Sequence, residues 1–373
     1  MAARAEASRA FSWRPWAVET ALYAGALLAA VVVTGLLIAL LGADPFAAYE
    51  TILRSSLGSL GGIAQTLNKA TPLLLGSLAA TFAMRGSFLN IGIDGQIYFG
   101  AIFATGLGLL LGSSAPAPFG ALLVLPVGAL GGALLALPAA LLRAYAGVSE
   151  IFVTVMLNFV ATSLVESLTT GPWNEPMAGE AISKQIPLGT TLPLLLPQAG
   201  AHAGIVIALL VAVGLGWVLG RTLLGYHIRA AGDNQLAARI GGVDLRHTAL
   251  AALCVSGAVA GLAGAIEVAG FHHRLILGLS PGYGYMAILL AVLGKRSVPG
   301  VTIAALAFAV LLVGSDSLQR SVRLPASTAL VFQAVIVLVV LFAESVRGWR
   351  TWDGRRRESS ARPPPPSALR PVS

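Results

Sequence analysis

Between residues 16 and 342 the chain is a succession of apolar runs, most about twenty residues long, separated by short polar segments. A helix rises ~1.5 Å per residue and the hydrocarbon core of a bilayer is ~30 Å thick, so such a run has the length of one crossing. Hydrophobic residues make up 56% of the chain and charged residues only 11%, against about 25% charged in a water-soluble domain. A soluble fold could not hide so much apolar surface. The fold class is therefore all-α, a polytopic membrane protein.

The runs fall at residues 16–41, 61–84, 90–111, 119–142, 149–170, 201–219, 248–270, 298–315 and 326–342. A further stretch, 280–294, has only about a dozen strongly apolar residues, which predicts a tilted or broken helix. About ten transmembrane helices result, with both termini inside. Arg4, Arg9 and Arg14 precede the first run, which is too long for a signal-peptide core of ~7–15 residues. It reads as a retained anchor behind a cytoplasmic tail, 1–15. The transmembrane domain is expected over 16–343, with a Pro-rich extracytoplasmic loop at 171–200. A basic, Pro-rich tail at 344–373 has no apolar face to bury and is expected to be disordered and cytoplasmic. The net charge of +8 does not imply nucleic acid, because most Lys and Arg lie in short loops or tails on one predicted face. The lone cysteine, Cys254, lies inside an apolar span and excludes a disulfide framework.

The longest charged interruption is 220–247. Arg221, Arg229, Arg239 and Arg246 put it on the cytoplasmic side. Within it Asp233 can cap a short helix, 234–240, that Gly241 and Gly242 can end. Such a helix is too short to be stable alone in water. It either folds back on the membrane domain or docks a cytosolic partner.

Polar residues at membrane depth must face protein, water or cargo. In the fifth run Glu150, Thr154, Asn158, Thr162 and Glu166 recur every four residues. Each step of four turns about 40° around the helix, so neighbours share a face while Glu150 and Glu166 do not. Thr154 and Asn158 either line a pathway or bond neighbouring backbone carbonyls. A second cluster, Asn90, Asp94 and Gln96, lies in LNIGIDGQ. There Asn90 could cap the third span, and Asp94 would sit at the positive end of its dipole. Lys69 is expected to snorkel outward and Pro72 to kink its helix. Glu267 is placed near the outer mouth, and Gln333 in a packed, hydrogen-bonded position. Gly128, Gly131, Gly132, Gly257, Gly261 and Gly264 predict close helix contacts.

Catalytic and metal signals fail. Gly282-x-Gly284-x-x-Ala287 has no βαβ unit around it, and Gly294-Lys295 is followed by Arg296 where a phosphate-binding loop needs Ser or Thr. His272 and His273 are adjacent rather than one helical turn apart. The chain has no evident means of binding ATP or another cofactor.

Four segments carry a family resemblance. LNIGIDGQIYFGA (89–101) resembles the FNIGxEGQ signature of permease subunits of ATP-binding cassette importers in the branched-chain amino acid, ribose and nucleoside permease superfamily. SEIFVTVMLNFVA (149–161) is similar to the EVxxTxMLNxIA segment of its simple-sugar and nucleoside branch. GYHIRAAGDNQLAARIGGVD (225–244) resembles its cytoplasmic loop, and GYGYMAILLAVLGKRSVPG (282–300) its GxxxIAVALLGxxxPxG segment. Leu89 replaces the usual Phe, Asp94 the usual Glu, and Lys295-Arg296 an Arg-Asn. The N-terminal extension and the 171–200 loop resemble the longer permease of such pairs.

The resemblance implies a non-enzymatic permease subunit in the inner (plasma) membrane that passes nucleosides or simple sugars. A branched-chain amino acid is the alternative cargo; a stand-alone secondary transporter or channel is the alternative class. It implies that 220–247 holds a coupling helix for a separate ATPase subunit, with Arg229, Asp233, Asn234, Ala237, Ala238, Arg239 and Gly241 at the contact. A second, shorter permease and an extracytoplasmic binding protein would complete the assembly. Asn90, Asp94, Gln96, Glu150, Thr154 and Asn158 are the candidate substrate pathway.

Overall fold

The computed structural model describes residues 44–112 and 119–322, together with 25, 28–29, 31–40, 42 and 334–335. Half of the first expected span, the 326–342 span with Gln333 except 334–335, and both tails lie outside the described residues. The chain divides into two compact units. In the unit formed by 1–49 and 322–373, Tyr49 closes a turn by donating to Val31 O (2.5 Å) and sharing a hydrogen bond with Thr34 (2.7 Å).

The larger unit, 50–321, carries the helical bundle. Helix α1 spans Pro45–Leu57, α2 Leu60–Arg85, α3 Ile93–Leu111, α4 Phe119–Leu141 and α5 Glu150–Thr170. Then follow α6 (Gly204–Arg221), α7 (Leu223–Asp233), α8 (Gln235–Ile240), α9 (Leu245–Ile266), α10 (Tyr283–Leu293) and α11 (Val298–Val322). A wide π turn extends α4 over Leu142–Ala146 and another extends α9 over Glu267–His272. Among the described residues six helices are long and apolar enough to cross a membrane: α3, α4 and α9 with their π turns, α5, α6 and α11. A seventh is added if the bent pair 31–40 and Pro45–Leu57 counts as one. Helix α2, at 26 residues, is long enough but carries Gln65, Thr66, Asn68 and Lys69 in its first half. Pro72 lies inside it without ending it.

Helix α9 is the centre of the bundle and packs on α4, α3 and α2. Small residues let it do so. A Cβ added to Gly264 would lie 1.8 Å from Ile97 O, one on Gly132 would lie 2.2 Å from Gly257 O, and one on Gly100 would lie 2.1 Å from Gly261 O. Backbone meets backbone along this seam, which is how helices associate where lipid removes the hydrophobic drive between them.

Helix α5 packs on α3 with a polar stripe. Its buried residues are Glu150, Thr154, Asn158, Ala161, Val165 and Thr169, spaced by three or four. Phe152, Met156, Phe159 and Val160 point outward. The helix is amphipathic in the sense opposite to a soluble one, with its polar face buried against protein. Glu166 is exposed while Glu150 is buried, as the 40° drift requires.

Helix α10, at 11 residues, spans only ~16 Å, about half a hydrocarbon core. The expected 280–294 element is thus a half-length helix. Gly282 precedes it at φ +83°, a conformation glycine adopts without Cβ strain. At its other end Arg296 O accepts from Arg85 Nε (2.6 Å).

Two caps differ from expectation. Helix α8 is capped by Asn234, whose extended backbone lets its side chain accept from Ala237 N (3.0 Å); Asp233 instead ends α7. Helix α3 begins after Gly92 with no side-chain cap of its own. Asn90 accepts from Gly92 N (3.0 Å) outside that helix.

Candidate functional site

The two polar clusters singled out in the sequence bind each other. Glu150 Oε1 accepts from Leu89 N (3.2 Å), and its other oxygen faces Arg143 Nε (3.3 Å). Thr154 Oγ1 accepts from Ile91 N (3.3 Å). Asn158 accepts from Gly95 N (2.8 Å) and donates to Ile91 O (3.0 Å). One stripe of α5 thus satisfies the backbone of the segment entering α3, including an orphan N–H of its first turn. Asn90 and Gln96 exchange amide hydrogen bonds (2.8 and 3.1 Å), and Asn90 reaches Ser256 of α9 (2.8 Å), which donates to Ala79 O of α2 (2.8 Å).

Asp94 performs the same service for α10. Its Oδ1 accepts from Ser280 Oγ (2.5 Å) and from Gly284 N (3.0 Å) in the first turn of that helix. Tyr98 donates to Ser280 O (3.1 Å). The chain of caps runs from α5 to α3 and from α3 to α10, and it ends at a cavity.

This cavity measures about 500 Å³, within the ~300–1,000 Å³ of small-molecule sites. Gln65, Asn68 and Lys69 of α2, Glu267, Phe271 and His272 of the α9 π turn, Tyr283 of α10 and Asp316 of α11 give it polar and aromatic walls. Leu279, Pro281 and Val313 supply apolar ones. It lies ~24 Å along α2 from Arg85, at the end of the bundle away from α8. Asn68 is occupied: it donates to Gly200 O (2.9 Å) and accepts from His202 N (3.2 Å), tying the 171–203 loop down. Lys69 Nζ stands 3.6 Å from Asp316, and His272 Nδ1 stands 3.4 Å from Glu267 but outside hydrogen-bonding geometry.

None of Asn90, Gln96, Glu150, Thr154 and Asn158 lines this cavity; they frame the helices that do. The sequence reading noted Lys69 and Glu267 singly and missed Gln65, Phe271 and Asp316. Ending the span at 315 left Asp316 outside, whereas α11 continues to Val322. Ending another at 270 hid the π turn that carries Phe271 and His272 round to the cavity. Such turns inside helices recur at functional sites. One legible signal was the spacing of Gln65, Asn68 and Lys69, which puts three polar groups on one face of α2.

At the opposite end, α8 exposes Leu236 (70%), Ala237, Arg239 and Ile240 (81%), while Ala238 is buried against its own chain. Arg229 is half-buried; Asp233, Asn234 and Gly241 are exposed. A smaller cavity of about 230 Å³ opens beside it between Gln235, Arg143 and Arg246.

A multi-pass bundle whose central helix meets its neighbours through backbone, with a polar cavity at one end and an exposed apolar helix at the other, defines a membrane permease. The chain belongs to the permease family described as "Branched-chain amino acid transport system / permease component", which matches residues 62–341. It is 33% identical to the glucose ABC transporter permease protein TsgB13 of Haloferax volcanii, over 87% of each chain. It is 28% identical to the guanosine ABC transporter permease protein NupP of Bacillus subtilis, over 89% of this chain and 93% of that one. The nucleoside ABC transporter permease protein NupB of Lactococcus lactis is also 28% identical, over 86% and 89%. No solved structure matches. The chain is a permease subunit of the ATP-binding cassette transporter kind.

Proposed function

We propose that this permease imports nucleosides or simple sugars across the inner (plasma) membrane by alternating access, driven by ATP hydrolysis in a separate subunit. The observation that carries the cargo reading is the cavity at the α2–α9–α10 end. Hydrogen-bonding groups opposite Phe271 suit an uncharged, hydroxyl-rich molecule with an apolar face. The names of the relatives support the same cargo class.

The orientation follows from charge: Arg85, Arg143, Arg221, Arg229, Arg239, Arg246, Lys295 and Arg296 gather at the α8 end, which the positive-inside rule makes cytoplasmic. Helix α8 is then the coupling helix, offering Leu236, Ala237, Arg239 and Ile240 to a groove of the ATPase. About ten crossings with both termini inside complete the topology. An extracytoplasmic binding protein delivers cargo, and this chain is the longer of two permeases. ATP is bound by the partner; closure of the ATPase dimer moves α8, and with it the opening of the bundle. Cargo biases that equilibrium only through unequal affinity for the two states.

A branched-chain amino acid cargo is the second reading, favoured by the family's description. Deleting this gene and measuring uptake of labelled guanosine, glucose and leucine separates the two. Loss of guanosine or glucose uptake is expected; loss of leucine uptake alone overturns the cargo reading. Uptake by vesicles holding only this polypeptide would overturn the ATP-driven one.

A further inference from the structure

Two carboxylates face the cavity without a hydrogen-bond donor from the described residues. Glu267 has a side chain only 4% exposed, and among the described residues no donor hydrogen-bonds its carboxylate, which opens on the cavity instead. Asp316, whose side chain is 40% exposed, also has no hydrogen-bond donor among the described residues, since Lys69 stops at 3.6 Å. The amide of Gln65 and the hydroxyl of Tyr283 also make no hydrogen bond among the described residues. Both carboxylates act electrostatically on Tyr283, so the three share one corner of the site. Buried polar groups are nearly always satisfied, and a carboxylate that is not is costly. Asp94 shows the contrast: its Oδ1 accepts two protein donors, and it does not line the cavity.

Resting on the sugar-or-nucleoside reading above, we propose that Glu267 and Asp316 accept hydrogen bonds from adjacent hydroxyls of the cargo, so that this permease selects a vicinal diol. The two oxygens of a carboxylate are spaced to take two neighbouring O–H groups at once, whereas one hydroxyl leaves half of that capacity unmet. Lys69 and Tyr283 then donate to the ring oxygen or base, and Phe271, half exposed into the space, covers the apolar face of the ring. Ribonucleosides and hexoses carry the required pair; a 2′-deoxynucleoside does not. Two carboxylates against one lysine also exclude anionic cargo. Amino acids place an ammonium rather than a diol here, and leucine is the competing occupant.

The test uses the complete transporter in proteoliposomes, with its unmodified binding protein loaded to saturation with guanosine or with 2′-deoxyguanosine. The wild-type complex is expected to move guanosine at least ~10-fold faster, the loss that follows when a hydrogen bond to a charged acceptor goes unmade. Glu267→Gln and Asp316→Asn should each lower guanosine uptake ~10-fold while changing deoxyguanosine uptake little, and Glu267→Asp should restore part of the preference. Gel filtration with the ATPase identifies variants that assemble; the wild-type comparison needs none. Equal transport of the two nucleosides by the wild type, or variants that assemble and keep the preference, would overturn the proposal. Transport of leucine with neither nucleoside nor glucose moving would overturn the underlying cargo reading instead.

Discussion

Asn158 caps a helix to which it does not belong: its Oδ1 accepts the Gly95 N–H at 2.8 Å while its Nδ2 donates to Ile91 O at 3.0 Å. Gly95 stands in the first turn of α3, whose N–H groups have no partner inside the helix. Gly92, at the cap position, has no side chain to supply one.

Replacing Asn158 with Ala therefore leaves a buried donor and a buried acceptor unmet. The purified permease should lose about 2–4 kcal/mol, read as a drop in denaturant midpoint in detergent. Asn158→Asp keeps the acceptor for Gly95 and, when protonated, a donor for Ile91 O, so it should lose less at a pH where the new carboxyl is protonated than where it is ionised. Equal midpoints for all three proteins would count against the trans cap.

The glycine seam makes a sharper prediction. A Cβ at Gly264 meets Ile97 O at 1.8 Å, so Gly264→Ala must drive α9 from α3 at a cost of about 3 kcal/mol or more. Gly214 has nothing within 4 Å. There the same change should be neutral or stabilise by up to about 1 kcal/mol, which thermal melting of the two variants will resolve.

Helix α8 separates two alanines that look equivalent in the sequence. Ala237 is exposed, so Ala237→Trp should leave the melting temperature unchanged and abolish co-purification of the ATPase. Ala238 is buried at 6%, so Ala238→Trp should lower stability as well. If Ala237→Trp still captures the ATPase and supports uptake, the coupling role is wrong.

His202 gives a pH dependence. Burial, and behind it the charge of His273, pulls its pKa from 6.5 down to about 4. Its Nδ1 accepts from Gly204 N (3.1 Å), which favours the neutral ring. The unfolded chain takes up a proton near pH 6.5 and the folded chain only near 4, so this contribution is complete above pH 6.5. It falls between pH 6.5 and about 4, by something on the order of 3 kcal/mol. Melting temperatures of His202→Gln should fall less over that window than those of the unmodified protein; parallel curves would remove His202 as the cause.

What could be read from local pattern was read correctly for a physical reason. Helix existence depends on apolar runs and breakers, so α3 to α6, α9 and the short α10 fell close to the expected places. The 40° drift of the α5 stripe is a property of one helix and needed no partner. Asp233 against Asn234 shows the resolution limit: both residue types cap helices, and only the backbone of Asn234, at φ −160°, decides which does.

The amino-acid order alone determined that this chain lives in a bilayer, roughly where most of its helices lie, and that a small helix sits in the charged loop. Those facts follow from hydropathy and periodicity over a few turns. Only the tertiary structure decided what each polar side chain faces, because that depends on residues far away in the chain. It turned Glu150, Thr154, Asn158 and Asp94 into braces between helices, and it gathered Gln65, Glu267, Tyr283 and Asp316 from four separate helical segments around one space.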